Sequence, residues 1–259
     1  MIPDTVEQMA RNLSIGAARA VPLVWSIPVF GGPALPTQLR VAMGVGMAVL
    51  CLPIVSAGIP PGGALALTLL FARESLVGIV MGLVVACMFR AAEAAGELVD
   101  VLRGATLSSA PIPTGKHPSS PLGALMLLFA VVVFLELGGV GQVATALARS
   151  YEAFPVGGWS GVDAIHSTGF IVILASAKLI EAAVGLAAPA MVALLLTDLA
   201  LGAIGRALPR FAGYGHGTSL KALLGLGAVL IGIAGTDVAL QHGFRGFFDL
   251  LRTVAGTGR

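Results

Sequence analysis

The feature that most constrains the fold is a long apolar segment that breaks into a loop rich in glycine, serine and proline. The apolar run Ala64–Phe89 passes into a segment of small and acidic residues, Ala91–Asp100, and ends in the loop Gly104–Pro121. Lipid offers backbone no hydrogen-bond partners, so a loop at membrane depth must be covered by protein or line a water-filled cavity. The sequence therefore predicts that this loop lies inside an assembly and guards a conduit.

The composition is that of an integral membrane protein. Of the 259 residues, 57% are hydrophobic and only 11% are charged, whereas soluble domains carry about 25% charged residues. The net charge of +2, without a cluster of Lys and Arg, gives no support to a nucleic-acid partner. Most of the 35 glycines lie inside apolar segments, a habit typical of closely packed membrane helices.

The hydrophobic pattern predicts an all-α membrane protein with about six apolar helices, several of them kinked or broken. Lys and Arg fall almost evenly on the two sides of a simple six-span arrangement, so the positive-inside rule assigns no orientation. The expected apolar helices and breaks are Ala20–Gly32 with two prolines, Val41–Ala57, the Ala64 segment, Leu122–Leu137 broken at Gly138-Gly139, Thr168–Leu201 with Pro189, and Ala222–Leu240.

A packing seam is predicted on the central helix. Glu74, Gly78 and Gly82 follow one another at a spacing of four residues, which puts them on one face. A carboxylate beside two glycines indicates a close helix contact that contains a polar group.

A polar stripe follows on the same helix. Arg90, Glu93, Glu97 and Asp100 fall within about 80° of one another. The stripe is either a solvated helix end with internal ion pairs or a polar face that meets partner subunits or an aqueous passage. Both interpretations remain open from the sequence.

Ionisable residues at membrane depth need partners. Each costs roughly 2.5–3.5 kcal/mol at the centre of a bilayer on insertion scales, so such residues must pair within the chain, pair with other subunits or face water. Carboxylates could also relay protons, which leaves a secondary transporter open, although no inverted repeat of broken helices is present. The candidates are Arg73, Glu74, Glu136, Lys178, Glu181, Asp198 and Asp237.

No enzyme, metal or cofactor chemistry is predicted. The four histidines are scattered, and neither a His-Glu-x-x-His nor a Cys-x-x-Cys spacing occurs. A Gly-x-Ser-x-Gly nucleophile elbow is also absent.

Motifs along nearly the whole chain resemble the FliR/SctT (YscT-like) family of membrane proteins from the type III secretion export apparatus. Ser120-Pro-Leu-Gly123 and Ser150-Tyr151 are closer to the virulence injectisome branch than to the flagellar branch. The resemblance rests on Arg19, Pro28, Pro36-x-x-x-Arg40, Glu74-x-x-x-Gly78-x-x-x-Gly82, Ala94-Ala-Gly96-Glu-x-x-Asp100, Gly138-Gly139, Ser150-Tyr-x-x-Phe-Pro-Val-Gly157, Pro189 and Leu201-Gly-x-x-x-Arg206-x-x-Pro209.

The resemblance implies helical hairpins packed into a hetero-oligomeric export gate in the bacterial inner membrane. It implies FliP/SctR-like and FliQ/SctS-like membrane subunits and an FlhB/SctU-like switch protein as partners, with unfolded secreted proteins as cargo. It divides the chain into a FliP/SctR-like part, 1–165, and a FliQ/SctS-like hairpin, 166–259. It also identifies the loop as the channel plug, with Gly104, Ser108, Ser109, Pro111, Pro113, Gly115, Lys116 and Pro121 as its residues.

The expected function is therefore that of a non-enzymatic, injectisome-type subunit of the export gate. A flagellar FliR-type subunit is the alternative, and a proton-coupled transporter is a more distant one. The residues expected at subunit interfaces or as buried charges are Arg73, Glu74, Gly78, Gly82, Glu93, Glu97, Asp100, Lys178, Glu181, Arg206 and Lys221.

Overall fold

A computed structural model describes residues 4–31, 36–55, 63–104, 120–156, 161–207 and 216–254. The described residues are almost entirely helical, and no strand occurs among them. The helices are α1 (Asp4–Ser26), α2 (Pro28–Gly31), α3 (Thr37–Val55), α4 (Ala64–Leu102), α5 (Pro121–Glu136), α6 (Gly139–Ala153), α7 (Gly161–Ala207) and α8 (His216–Val254). The all-α membrane fold predicted from the sequence is confirmed.

Three described helices are long and apolar enough to cross a membrane. They are α3, α4 and the part of α7 from Gly169 to Ala207. A fourth candidate is the pair α5 and α6, bent by 68° at its break. The segment Leu122–Leu137, predicted as an apolar helix, is therefore part of a span only if the span continues through this bend.

The bend lies where the glycine pair predicted it. Gly138 adopts φ 63° and ψ 32°, the left-handed conformation that favours glycine. The break at Gly138-Gly139 is confirmed. By contrast, α7 runs unbroken through Pro189, and α8 joins the last apolar run to the tail in one helix.

The described chain forms two compact units. The first comprises 1–87, 134–177 and 244–259, and the second comprises 88–133 and 178–243. The boundary near Ile165 concerns similarity to other subunits, and it stays a prediction.

The core of the first unit is built around α1. Its residues Ala20, Leu23 and Val24 are buried, as is Ile27 just after it, so this short, proline-containing part of the chain is packed in protein. Aromatic rings form a second cluster in this unit, where Phe134 lies 5.6 Å from Phe244 and 5.9 Å from Phe248 between ring centroids.

The seam between α1 and α4 depends on the absence of a side chain. A Cβ added at Gly78 would collide with the backbone carbonyl oxygen of Arg19, and one at Gly82 would lie 2.8 Å from the carbonyl oxygen of Leu23. Backbone cannot move aside as a flexible side chain can. The close-packing seam predicted on the face of Glu74 is confirmed, and its partner is α1.

Replacing Gly78 with alanine is predicted to destabilise the protein. Overpacking of this kind typically costs about 1–3 kcal/mol, against a gain of about 1 kcal/mol in helix propensity. Gly46 is the matched control, because no atom lies within 4 Å of a Cβ built there. The midpoint of thermal unfolding in detergent should fall for Gly78→Ala and stay level or rise for Gly46→Ala. Equal midpoints would show that the seam is loose.

Candidate functional site: a buried ion pair and a clamped loop

A buried ion pair joins α1 to α4. Arg19 Nη2 lies 2.5 Å from Glu74 Oε2, and Arg19 Nε donates a hydrogen bond of 2.7 Å to the same oxygen. Both residues are 1% exposed. The pair forms because Gly78, one turn after Glu74, lets α4 approach the backbone of α1 at Arg19.

The remaining donors of Arg19 reach α6 and the turn that follows it. Its Nη1 donates to Ser150 Oγ at 3.0 Å, and its Nη2 donates to the carbonyl oxygen of Phe154 at 3.1 Å. The ring of Tyr151 lies beneath the guanidinium, 4.1 Å from Cζ to the ring centroid. One guanidinium thus binds a carboxylate, a hydroxyl, a carbonyl and an aromatic face.

Tyr151 joins α6 to α1 a second time. Its hydroxyl donates a hydrogen bond of 2.9 Å to the carbonyl oxygen of Gly16, and the residue is 3% exposed. Ser150 donates in turn to the carbonyl oxygen of Leu147 at 2.7 Å. We call Arg19, Glu74, Ser150 and Tyr151 the arginine node.

The second site lies in the second unit, at the two ends of the loop Gly104–Pro121. We call the contacts of Asp100 with Arg103 and Leu122 the clamp. Asp100, near the end of α4, is fully buried. Its Oδ2 accepts a hydrogen bond of 2.9 Å from the backbone N–H of Leu122 in the first turn of α5, and its Oδ1 lies 2.5 Å from Arg103 Nε. A carboxylate at a helix N-terminus is favoured by the helix dipole.

Local sequence explains why the helices stop and start at this clamp. Gly104 ends α4 in the left-handed conformation, with φ 78°, as a C-terminal glycine commonly does. Ser120 caps α5 by accepting a hydrogen bond of 3.1 Å from the N–H of Gly123, and Pro121 occupies the first helical position, where its missing N–H costs nothing. Gly96 lets the helices meet, since a Cβ there would lie 2.5 Å from the carbonyl oxygen of Leu122.

The predicted plug residues divide between described and undescribed positions. Gly104 and Pro121 are the two ends of the loop and lie beside the clamp. The other predicted plug residues, Ser108, Ser109, Pro111, Pro113, Gly115 and Lys116, lie outside the described residues.

The polar stripe on α4 contains one ion pair between its own residues, and Asp100 at its end pairs with Arg103. Arg90 pairs with Glu93 at 2.6 Å, and the Arg90 side chain is 62% exposed. Glu97 is exposed, whereas Asp100 is buried beneath α5. The Arg90–Glu93 pair fits the solvated-end interpretation, but Asp100 does not, because it is buried and accepts a hydrogen bond from the first turn of α5.

The remaining predicted interface charges lie in several environments. Lys221 bonds to Asp198 at 2.7 Å and links α8 to α7. Arg73 is half-buried beside Glu74, and Arg206 is exposed in the last turn of α7. Lys178 is half-buried and Glu181 exposed, and within the described chain no ion pair joins these two residues.

Comparison with known proteins decides the family. The family model described as bacterial export proteins, family 1, matches residues 12–246. The chain belongs to this family. This match confirms the FliR/SctT resemblance deduced from the motifs. It covers all four residues of the arginine node and both ends of the loop.

Individual relatives include proteins with flagellar and with non-flagellar names. The chain is 30% identical over 159 residues to the surface presentation of antigens protein SpaR of Shigella sonnei, covering 61% of this chain and 60% of SpaR. It is 33% identical over 146 residues to the Yop proteins translocation protein T of Yersinia pestis, 56% of each chain. It is 22% identical over 241 residues to the flagellar biosynthetic protein FliR of Caulobacter vibrioides, covering 90% of this chain and 92% of FliR.

Sequence reasoning missed the centre of the arginine node. Arg19, Ser150 and Tyr151 entered only as motif positions, and Glu74 was expected at a subunit interface or as a buried charge, with no partner named. The available signal was that a buried glutamate needs a cation, and Arg19 directly precedes the first apolar segment. The distances between these residues along the chain, 55 for Arg19 to Glu74 and 131 for Arg19 to Ser150, hid their proximity.

Neutralising Glu74 is predicted to destabilise the first unit strongly. Glu74→Gln leaves the Arg19 charge buried without its counter-ion, which typically costs about 3–5 kcal/mol. The exposed pair Arg252–Asp249 is the control, with side chains 56% and 72% exposed, and Arg252→Ala should cost at most about 1 kcal/mol. Thermal unfolding and membrane yield measure both. Similar losses for the two variants would contradict a stabilising role for the node.

Proposed function

We propose that this chain is a non-enzymatic subunit of a type III secretion export gate in a bacterial inner membrane, and that the loop Gly104–Pro121 closes the protein-conducting channel at rest. Family membership supports the export role, and the apolar helices support a membrane location. The observation that carries the gate hypothesis is the clamp at Asp100.

The clamp suits a gate for a mechanical reason. Asp100 holds the last turn of α4 against the first turn of α5, so the loop leaves and returns at one point. A loop held at its base can change conformation without separating the helices that carry it. Segments with few buried contacts open at low cost in free energy, which is what a plug requires.

The arginine node suits the scaffold that must stay closed while the loop moves. It cross-links α1, α4 and α6 inside the first unit. The clamp belongs to the second unit. The proposed scaffold and the base of the proposed plug are therefore supported by separate polar networks.

Partners and branch follow from the family and its relatives. We expect FliP/SctR-like and FliQ/SctS-like membrane subunits and an FlhB/SctU-like switch protein as neighbours, with unfolded secreted proteins as cargo. The injectisome type is favoured by the higher identity to SpaR and to the Yersinia protein. The flagellar type is the second candidate, because the FliR relatives match along about nine-tenths of this chain.

Deleting Ser108–Lys116 is predicted to make the assembled gate leak. Shortening the loop removes most of the plug and leaves Asp100, Arg103 and Leu122 in place. Membrane vesicles or cells with the variant complex should pass small ions or metabolites that the unaltered complex retains, while complex yield stays the same. A tight membrane with a fully assembled complex would refute the plug assignment.

Loosening the clamp is predicted to give a milder leak. Asp100→Ala removes the acceptor for the Leu122 N–H and the partner of Arg103, while Glu97→Ala, one turn earlier at an exposed position, is the matched control. Ion flux should rise for Asp100→Ala only, and yield of the complex should exceed that of Glu74→Gln. Equal flux from the two alanine variants would separate the clamp from gating.

A further inference from the structure

Helix α7 presents more apolar surface than a bilayer can cover. Its apolar part, Gly169–Ala207, has 39 residues, and only 22% of its 18-residue apolar window is buried, against 67% for α4. At 1.5 Å per residue this part is about 58 Å long, and even a tilt of 40° leaves about 45 Å across a hydrocarbon core of about 30 Å. Part of the exposed apolar surface must therefore be covered by protein.

One face of α7 in the second unit combines this surface with an acidic side chain. At 100° per residue, Glu181, Val184, Val192, Leu195 and Leu199 fall within about 80° of one another, and all five are exposed. We call these five residues the α7 face. Its four apolar members lie between Val184 and Leu199, so the carboxylate of Glu181 adjoins an exposed apolar surface.

Glu181 has no counter-ion in the part of the chain that is described. None of the ion pairs or side-chain hydrogen bonds there includes it. Asp198 on the same helix contrasts with it, because Lys221 neutralises Asp198 at 2.7 Å. A lone carboxylate among exposed apolar side chains indicates that a cation is supplied from outside the chain.

The position of Lys178 indicates that the partner of the α7 face is a different subunit and not a second copy of this chain. It lies about 60° from Glu181 around the helix and is half-buried, whereas Glu181 is exposed. The α7 face is therefore acidic without an accompanying base. Two copies packed by a two-fold axis would bring like charges together, since such an interface uses the same patch on both subunits.

We propose that the α7 face binds a transmembrane helix of a different membrane subunit that presents a Lys or Arg side chain to Glu181. This inference rests on the proposed function and names the chemistry of one partner. Apolar side chains of the partner would cover Val184, Val192 and Leu195, and the ion pair would set the register of the two helices. Lys and Arg suit this position because their long stems contact apolar surface while the charge reaches the carboxylate.

Charge variants of the full chain, expressed with the other membrane subunits of its export system, test the proposal. Glu181→Lys and Glu181→Leu should each lower the yield of purified complex at least about tenfold, because each leaves the partner's cation unpaired. Glu181→Asp should retain most of the yield. Asp249→Lys, at a position 72% exposed on α8, is the control and should assemble normally. Normal assembly of both Glu181→Lys and Glu181→Leu would overturn the proposal.

Photo-crosslinking identifies what covers the α7 face. A benzoylphenylalanine at Val192 should form an adduct with a different membrane subunit, and Glu181→Lys should abolish that adduct. Reversing the charge of the basic residue on the crosslinked helix should restore both adduct and yield. Adducts with lipid alone, or with a second copy of this chain, would overturn the proposal.

The outcome also separates this inference from the proposed function. If the Glu181 variants assemble normally while deletion of Ser108–Lys116 still causes a leak, the partner assignment fails and the gate stands. If the unaltered chain purifies without any other membrane subunit, the gate itself fails.

Discussion

The burial of Arg19 against Glu74 is the interaction on which the first unit depends. A guanidinium and a carboxylate, both 1% exposed, can remain charged in an apolar core only when every strong donor and acceptor is satisfied. Ser150, the carbonyl of Phe154 and the ring of Tyr151 give the guanidinium of Arg19 three further partners. The three helices that supply these groups are consequently fixed in one arrangement, because shifting any of them exposes a charge to hydrocarbon.

The chain uses buried charge differently in its second unit. Asp100 is as deeply buried as Glu74, but one of its oxygens serves a helix N-terminus and the other serves Arg103, three residues away. Such an arrangement links two consecutive helices rather than three distant ones. The proposed division of work follows from this difference, since the node holds a scaffold together and the clamp holds only the base of a loop.

Sequence reasoning correctly predicted the features whose signals are local in the sequence. The all-α membrane class, the glycine seam after Glu74 and the break at Gly138-Gly139 all follow from spacing within a few residues. It did not pair Arg19 with Glu74 or foresee that Asp100 caps α5, because both contacts join separate helices and one sequence records no coupling between distant positions. It also ended the last apolar helix at Leu240, whereas α8 continues to Val254, since the change in hydrophobicity near Leu240 gives no sign that the helix continues.

The most direct test of the account is a double-mutant cycle on the arginine node, with Arg19→Met, Glu74→Leu and the double variant measured by unfolding in detergent. Each single variant leaves a buried charge unpaired, whereas the double variant removes both charges and keeps the volume apolar. The account predicts a double variant more stable than either single variant, with a coupling free energy of at least about 3 kcal/mol, because the coupling must then exceed the larger single loss. Additive losses, with no coupling between Arg19 and Glu74, would contradict it.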